Sequence, residues 1–445
     1  MYRTNDQEII LKNLDNLEDK ALNISMNKYE PTMDERKKVY NEIIHFIKTK
    51  KRIVYGGYAQ NELIRIKDKK DVFYRDTDMA DIEFYTPDPI SDMIDMCDML
   101  YSKKFKYVQA KEGVHNETYK IFVNFVNYCD ITYIPRDIFN NMPTIKAKDM
   151  LMSHPHYMLM DAYRVYTDPM TSYFRLKKTF TRFNTLINHY PFNDNMIFNK
   201  IEYMITIDKM KHTKLLHFIR KHIIHNSKLI VVGHYAFNQL MKMAKMPSSY
   251  IVDCTFYQLI SENYNDSVET ITTKLKQQNS NITRKSYYPF SQYFDRSTEW
   301  YAGDMLILRL YGTNQRCIVY RYSEKKKTYF GSFQLLILYN LIQYIIGIIR
   351  KNKFNEIAYG TMVVRLFKAR DTYLEKHNKN VLDKTIFQEF TLECIGTPND
   401  ILRSSFLDRA LKKEKGKQMT FNYTPTGKPG KKPNFRFTDT SGNVK

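Results

Sequence analysis

The sequence predicts an α+β protein, α/β-like in its strand–helix units, made of two tandem lobes joined by a helical segment. Three observations predict it: a strand–glycine turn–helix unit near residue 53, a near-copy of that unit near residue 230, and a basic, helical stretch between them. At 445 residues the chain exceeds one ordinary core, since domains run to roughly 100–200 residues. The expected divisions are an N-terminal helical segment (1–50), a first lobe (51–150), a helical basic link (151–226), a second lobe with C-terminal helices (227–411) and a flexible basic tail (412–445).

Taken in order, residues 1–50 read as helical, with Val39, Ile43, Ile44 and Ile47 at helical spacing and Thr32 or Asp34 as cap. The period then changes. Residues 52–55 form a short strand, Gly56-Gly57 a break, and 58–66 a helix turning Ala59, Leu63 and Ile66 inward. Strands follow at 80–85, 120–126 and 128–134, and from 150 to about 226 the pattern is mostly helical. Residues 53–64 (IVYGGYAQNELI) and 230–241 (IVVGHYAFNQLM) agree at seven of twelve positions without a gap. Residues 81–85 then align with 253–257, which favours internal duplication over chance recurrence of a common unit. The tail carries Lys412, Lys413, Lys415, Lys417, Lys428, Lys431 and Lys432 among Gly and Pro without apolar period, and reads as a flexible arm.

Composition narrows the function. Lys and Arg number 69 against 48 Asp and Glu, a formal charge of +21, which favours a polyanionic partner, nucleic acid or an acidic membrane surface. Five cysteines without a CxxC pair argue against a disulfide-stapled domain or a Cys-rich zinc module, and point to a reducing compartment. The acidic N-terminus is no signal peptide. The apolar run 333–349 is shorter than the ~20 residues of a membrane span and is interrupted by Asn340 and Gln343, so it reads as a buried helix or a subunit contact in a soluble protein without membrane attachment. His154 with His156, and His217 with His222 and His225, lack the Cys or acid that would complete a zinc site. The 35 Tyr and 27 Phe are able to stack on bases, although AT-rich codon usage accounts for them equally well.

The chemistry concentrates in the first lobe. On a strand, Asp81 and Glu83 share one face while Ile82 points to the core. Like charges at that spacing repel unless a divalent cation neutralises them, and Mg²⁺ prefers such oxygens. Asp130 sits mid-strand between apolar neighbours, where an acid is costly unless paired or bound to metal. Gly56-Gly57 leads into a helix N-terminus, whose free N–H groups attract phosphate. A phosphate cradle before three carboxylates suits two-metal nucleotidyl transfer. In the link, Arg175, Lys178 and Arg182 fall at i, i+3 and i+7 on one helix face, with Arg164 one segment earlier, as candidate contacts to triphosphate or RNA backbone.

This order of Gly-Gly, Asp-x-Glu and a distant strand Asp resembles the nucleotidyltransferase fold of DNA polymerase β and poly(A) polymerases. Over roughly residues 30–400 the chain is most similar to the poly(A) polymerase catalytic subunits of large cytoplasmic DNA viruses, of poxvirus-like and giant-virus types, which carry a second, degenerate nucleotidyltransferase-like domain. The resemblance implies Asp81, Glu83 and Asp130 as ligands of two Mg²⁺ or Mn²⁺ ions. It implies Gly56 and Gly57, with Tyr58 and Asn61 behind them, as nucleotide-binding. It also implies ATP as donor, an RNA 3′ end as acceptor, and the viral factory in the cytoplasm, with the virion, as location; the apolar run 333–349 and the need for a long RNA track favour a homodimer, with a separate processivity subunit as the alternative partner. The spacing from Gly57 to Asp81 is longer than in many superfamily members and leaves a loop at 68–77. In the second copy Asp253 is retained, Thr255 is set against Glu83 and His234 against the second glycine, and the strand 317–321 offers no acid, so this lobe is expected to be catalytically dead. The rivals are a CCA-adding or oligoadenylate-type enzyme and a non-catalytic RNA-binding scaffold.

Overall fold

The computed structural model describes residues 2–74, 78–113, 117–192, 208–291, 293–313, 317–396 and 421–432, with short pieces elsewhere. The expected C-terminal lysines 412, 413 and 417, and residues 193–204 of the link, lie outside the described residues. Helices α1 (Thr4–Lys28) and α2 (Met33–Lys50) open the chain. Thr32 caps α2, its Oγ1 accepting from the Glu35 N–H at 3.4 Å, and Val39, Ile43, Phe46 and Ile47 form its buried face.

The first sheet comprises β1 (Ile53–Tyr55), β2 (Ile82–Thr86), β3 (Gln109–Glu112), β4 (Thr118–Val123), β5 (Val126–Tyr133), β6 (Thr144–Ala147) and β7 (Met150–Ser153), in the spatial order β3-β4-β5-β2-β1-β7-β6. Helix α3 (Gly56–Arg65) follows β1, α4 (Pro89–Ser102) follows β2, and α5 (Arg136–Asn141) follows β5. Because β7 pairs in parallel with β1, the lobe runs past the expected limit at 150. The link contains α6 (Pro155–Tyr166), α7 (Pro169–Ser172), α8 (Leu176–His189) and α9 (Lys209–Ile219).

The second sheet repeats the first. β8 (Ile230–Val232), β9 (Tyr257–Ser261), β10 (Ile282–Tyr287), β11 (Ser297–Ala302), β12 (Met305–Gly312), β13 (Ile318–Ser323) and β14 (Thr328–Gly331) stand in the order β10-β11-β12-β9-β8-β14-β13, with α10 (Gly233–Met243) after β8 and α11 (Tyr264–Gln278) after β9. Even the irregularities coincide: the β4–β5 hairpin slips register between Ile121 and Phe122, and the β11–β12 hairpin between Trp300 and Tyr301, the same step in each. A bulge re-aims the strand that carries it, so its repetition extends the duplication beyond the twelve-residue match.

Strand pairing corrects the alignment of the two lobes. Tyr55 faces Glu83 across β1–β2, and Val232 faces Gln258 across β8–β9. Gln258, not Thr255, therefore holds the place of Glu83, and Phe256 that of Asp81. Across the next pair, Glu83 lies beside Asp130 and Gln258 beside Arg309. The counterpart of Asp130 is thus Arg309 on β12, not a residue of 317–321, which form the start of the edge-side strand β13. One register further, Lys120 faces Asp130 and Glu299 faces Arg309. The ion pair survives with its signs exchanged: Lys120 Nζ to Asp130 Oδ2 is 2.5 Å, and Arg309 Nη2 to Glu299 Oε1 is 2.5 Å. Where the first lobe presents acids, the second holds a partly buried guanidinium 5.6 Å over the Phe256 ring. Among the second lobe's described residues there is no set of carboxylates to hold metal.

Helix α12 (Phe333–Ile349) is enclosed within the chain, with fifteen of its seventeen residues buried, and packs against α6 and against α13 (Lys353–Lys376). This removes the run as a subunit contact. Among the described residues no helix is long and apolar enough to cross a membrane.

Two further expectations are overturned. Cys317 and Cys394 are joined as a disulfide, with Cα atoms 5.3 Å apart, because β15 (Cys394–Ile395) pairs antiparallel with β13; Cys97, Cys129 and Cys254 are free. Part of the basic tail is docked. β16 (Asn422–Tyr423) pairs with β3, Tyr423 Oη donates to Asp98, the Gly430 N–H donates to the same carboxylate at 2.8 Å, and Lys432 meets Asp95 at 2.6 Å. Aromatic anchors and two acids on α4 offset the ordering entropy that composition alone leaves uncompensated. Beyond these, β17 (Asn443–Val444) pairs with β10.

Arg309→Met should destabilise the protein by about 3–5 kcal/mol, because it strands Glu299 as a buried unpaired charge, whereas Arg309→Met with Glu299→Leu should recover most of the loss. Urea denaturation of the three proteins measures both.

Candidate active site

The site forms where the β1–α3 turn meets the ends of β2 and β5. Gly56 has φ +70°, the left-handed region that glycine tolerates, and a Cβ there would lie 1.6 Å from Glu83 Oε2. The Glu83 carboxylate fills that space and accepts from the Gly57 N–H at 3.2 Å. A Cβ on Gly57 would come within 2.5 Å of the Tyr74 hydroxyl and 2.8 Å of Arg182 Nη1. Gly56 is thus required by its backbone conformation and the strand carboxylate against it, and Gly57 leaves room for the ends of a tyrosine and an arginine side chain.

Asp130 is held from two sides. Lys120 pairs with its Oδ2 at 2.5 Å, and Asn127 Nδ2 donates to its Oδ1 at 3.1 Å and to Asp81 Oδ2 at 3.2 Å. Asn127 therefore ties Asp81 to Asp130. Burial, then the charge of Asp130, pushes the Glu83 carboxyl up to about 7 and raises that of Asp81 as well. In this arrangement Glu83 turns to the glycine bend, and among the described residues no three acids, histidines or cysteines converge as a metal cage. The donor set nevertheless fits a divalent ion. Its ligand atoms are hard oxygens, and mutual repulsion with burial leaves the carboxyls protonating too readily, which a dication relieves.

Helix α8 supplies cations opposite the acids. Lys178 lies within the fields of Glu83 and Asp81, its own pKa lowered by burial and then by Arg182. The Arg182 guanidinium stacks 4.3 Å over Phe73 and 4.9 Å over Tyr74, which fixes it above Gly57. Arg175, at the N-cap of α8, is exposed and lies 5.5 Å over the Phe174 ring. The structure thus brings Asp81, Glu83, Asp130, Gly56, Gly57, Lys178 and Arg182 together. Arg164 is placed behind, paired with Asp161 at 3.5 Å.

Tyr58 is buried against Tyr40, with ring centroids 6.0 Å apart. The Asn61 side-chain oxygen accepts from the Phe73 and Tyr74 N–H groups, both at 3.0 Å, and so fixes the loop that carries Tyr74. Its counterpart Asn238 clamps Val252 in the same way in the lobe without acids. Both Tyr58 and Asn61 border a cavity of ≈ 670 Å³ behind α3, alongside Lys37, Arg65 and Lys148.

Three residues of the site escape a motif reading: Lys120, Asn127 and Tyr74. Lys120 carries a signal, since it alternates with core-facing Tyr119 and Ile121 on a strand next to that of Asp130. Asn127 and Tyr74 carry none. Burial drives the pKa of His154 and His156 down to about 4.

This geometry has known counterparts. Residues 41–172 match the family "Poly(A) polymerase catalytic subunit", and residues 184–445 match "APMV, Putative poly(A) polymerase, catalytic subunit, C-terminal". The chain belongs to the poly(A) polymerase catalytic subunit family. A "Putative poly(A) polymerase catalytic subunit" of Acanthamoeba polyphaga mimivirus is 32% identical over 459 residues, covering 95% of this chain and 78% of the relative. A protein of the same description from African swine fever virus (strain Badajoz 1971 Vero-adapted) is 30% identical over 152 residues, 33% of this chain and 32% of its own. The crystal structure of the Megavirus polyadenylate synthase superposes with a TM-score of 0.91 at 30% identity, covering all of this chain and 92% of that one. The two-lobed α+β fold is therefore that of the family.

The raised Glu83 carboxyl has a thermodynamic signature. The folded chain binds this proton more tightly than the unfolded chain, so the stabilisation is complete below pH 4.5 and is lost as pH rises through about 7. At 1.36 kcal/mol per pKa unit the loss is on the order of 3 kcal/mol. Metal-free wild type should lose Tm between pH 5 and 8 more steeply than Glu83→Gln, and at pH 7.5 added Mg²⁺ should raise Tm further in the wild type than in the variant.

Proposed function

We propose that this member of the poly(A) polymerase family adds AMP from ATP to RNA 3′ ends without a template, at the face built by Asp81, Glu83, Asp130 and helix α8. The observation that carries the reading is the parallel register that sets Glu83 beside Asp130, with Lys178 in the field of both Glu83 and Asp81. Asp81, Glu83 and Asp130 would hold two divalent ions, Mg²⁺ or Mn²⁺. Bound there, the ions supply charge neutralisation at the transferring phosphate and an acidified acceptor hydroxyl.

The chain's own groups do the rest. Lys178 and Arg182 bind and orient the triphosphate as charge-assisted donors. The Gly57 N–H, now occupied by Glu83, would be free to donate to a phosphate if that carboxylate held an ion instead. Glu83 gives up its proton on loading, which ties ion affinity to pH near neutrality. Lys120 orients Asp130, and Asn127 bridges it to Asp81 so that the two acids hold a fixed spacing. In the transfer, the RNA 3′ oxygen forms the new bond to the α-phosphorus and pyrophosphate leaves. The formal charge of +21 makes RNA association electrostatic, falling steeply with salt. On this reading the reaction runs in the cytoplasm of an infected cell, which similarity to viral proteins supports.

Asp81→Ala should abolish Mg²⁺-dependent extension of a primer RNA with ATP, whereas Asp253→Ala, on an exposed position before β9, should leave turnover nearly intact. Lys178→Ala and Arg182→Ala should each raise KM for ATP by about 10-fold or more, the worth of one charge-assisted hydrogen bond. Steady-state assays with each of the four nucleotides measure these effects and the base preference together.

A further inference from the structure

The lobe that lost its carboxylates has kept a hollow. A cavity of ≈ 220 Å³ lies on the face of the second sheet where Glu299 and Arg309 stand in the places of Lys120 and Asp130, so it is the counterpart of the catalytic face. Its walls include Tyr287, Tyr288 and Phe290, and it is closed on the far side by α5 of the first lobe through Asp137. Both lobes build it.

The polar groups inside are satisfied except one. Arg309 donates to Glu299 at 2.6 Å and to Gln343 at 2.8 Å, Gln343 donates to the Tyr311 hydroxyl at 3.1 Å, and that hydroxyl donates to Gln258 at 2.9 Å. Asp137 Oδ1 is buried and has no hydrogen-bond partner. A buried acceptor left in this state costs about 1–3 kcal/mol, so a turn of the Asp137 carboxylate that brings it to a ligand's donor in the cavity is favoured. At the rim, Tyr288 is 36% exposed and the exposed Arg350 lies 5.8 Å over the Tyr287 ring.

What the cavity excludes is equally defined. The end that cradles phosphate in the first lobe is plugged in the second: His234, at the second glycine's position, is fully buried against Phe256 and Tyr359. At ≈ 220 Å³ the cavity exceeds the roughly 150 Å³ of a cavity known to take up benzene, which is room for one heterocyclic base.

We propose that this inter-lobe cavity binds the adenine base of an adenylate, from a free nucleotide or from the RNA tail, apart from the catalytic centre. Asp137 accepts from the exocyclic amino group, the aromatic walls stack on the ring, and Arg350 meets the phosphate at the rim. The choice of adenine among bases with an amino group rests on the reading of the chain as a poly(A)-forming enzyme; the cavity's fit to an amino-bearing base does not.

The test is calorimetry on the full chain without divalent ions, titrating AMP and, separately, a ten-nucleotide oligo(A), against wild type, Tyr288→Ala, Tyr288→Phe and Asp137→Asn. Tyr288→Ala should weaken binding at least 10-fold, Asp137→Asn about 5-fold or more, and Tyr288→Phe should bind as wild type, while all three still add a single AMP to a short primer. Loss confined to oligo(A) assigns the site to the tail, and loss with AMP as well assigns it to free nucleotide; either supports the proposal. Unchanged affinities in Tyr288→Ala and Asp137→Asn, or no binding of either probe by wild type, would overturn it. UMP and oligo(U) binding as tightly as their adenine equivalents would overturn the base assignment. If wild type binds but extends no primer, the proposed activity falls and the cavity stands.

Discussion

A carboxylate stands where a methyl group would otherwise be. Glu83 reaches back from β2 into the space left by the missing side chain of Gly56, and that contact sets the register of the first sheet and the entry angle of α3. Every functional group of the first lobe is placed relative to it: Asp130 on the neighbouring strand, Arg182 above the following glycine, and Asn127 between the outer acids. The second lobe shows that the contact is also architectural. Gly233, at φ +62°, would drive a Cβ to 2.1 Å from Gln258 Nε2, so glycine and long polar residue persist as a pair after the charge has gone. Retention of the steric fit alongside loss of the acid separates what folds this unit from what makes it react.

The exchanged ion pair explains how the second lobe tolerates that loss. Removing Asp130 alone would leave a lysine facing an emptied site. Arg309 with Glu299 inverts the dipole and keeps the buried charges matched, and although burial opposes it, Arg309 with Tyr301 holds Glu299 below the usual carboxylate range. The guanidinium then covers Phe256 and so fills the ground that ions would need. The second sheet remains a scaffold against which α12 packs, and it supplies one side of the seam between the lobes.

Much of this was legible in the residues. Period-two alternation with apolar flanks marked Asp81, Glu83 and Asp130, the glycine pair marked the turn, and helical spacing marked Lys178 and Arg182. The duplication was legible from twelve residues, yet its continuation was misaligned. Asp-x-x-Phe-Tyr occurs at 81–85 and at 253–257, whereas the loop before β9 is in fact two residues shorter than the loop before β2. Local similarity has no access to strand pairing, which alone decides the equivalence. The disulfide joins cysteines 77 residues apart, and the docking of the tail depends on acids more than 300 residues upstream. Neither leaves a local trace.

The placement of β16 has its own consequence. The outer strand of the first sheet is made from residues 422–423, after the whole second lobe has been synthesised. A ribosome delivers the N-terminal half first, so during translation β3 waits with an open hydrogen-bonding edge, a surface prone to pairing with stray strands. Residues 421–432 close it like the tongue of a buckle, so the first lobe is completed only after the second has been made.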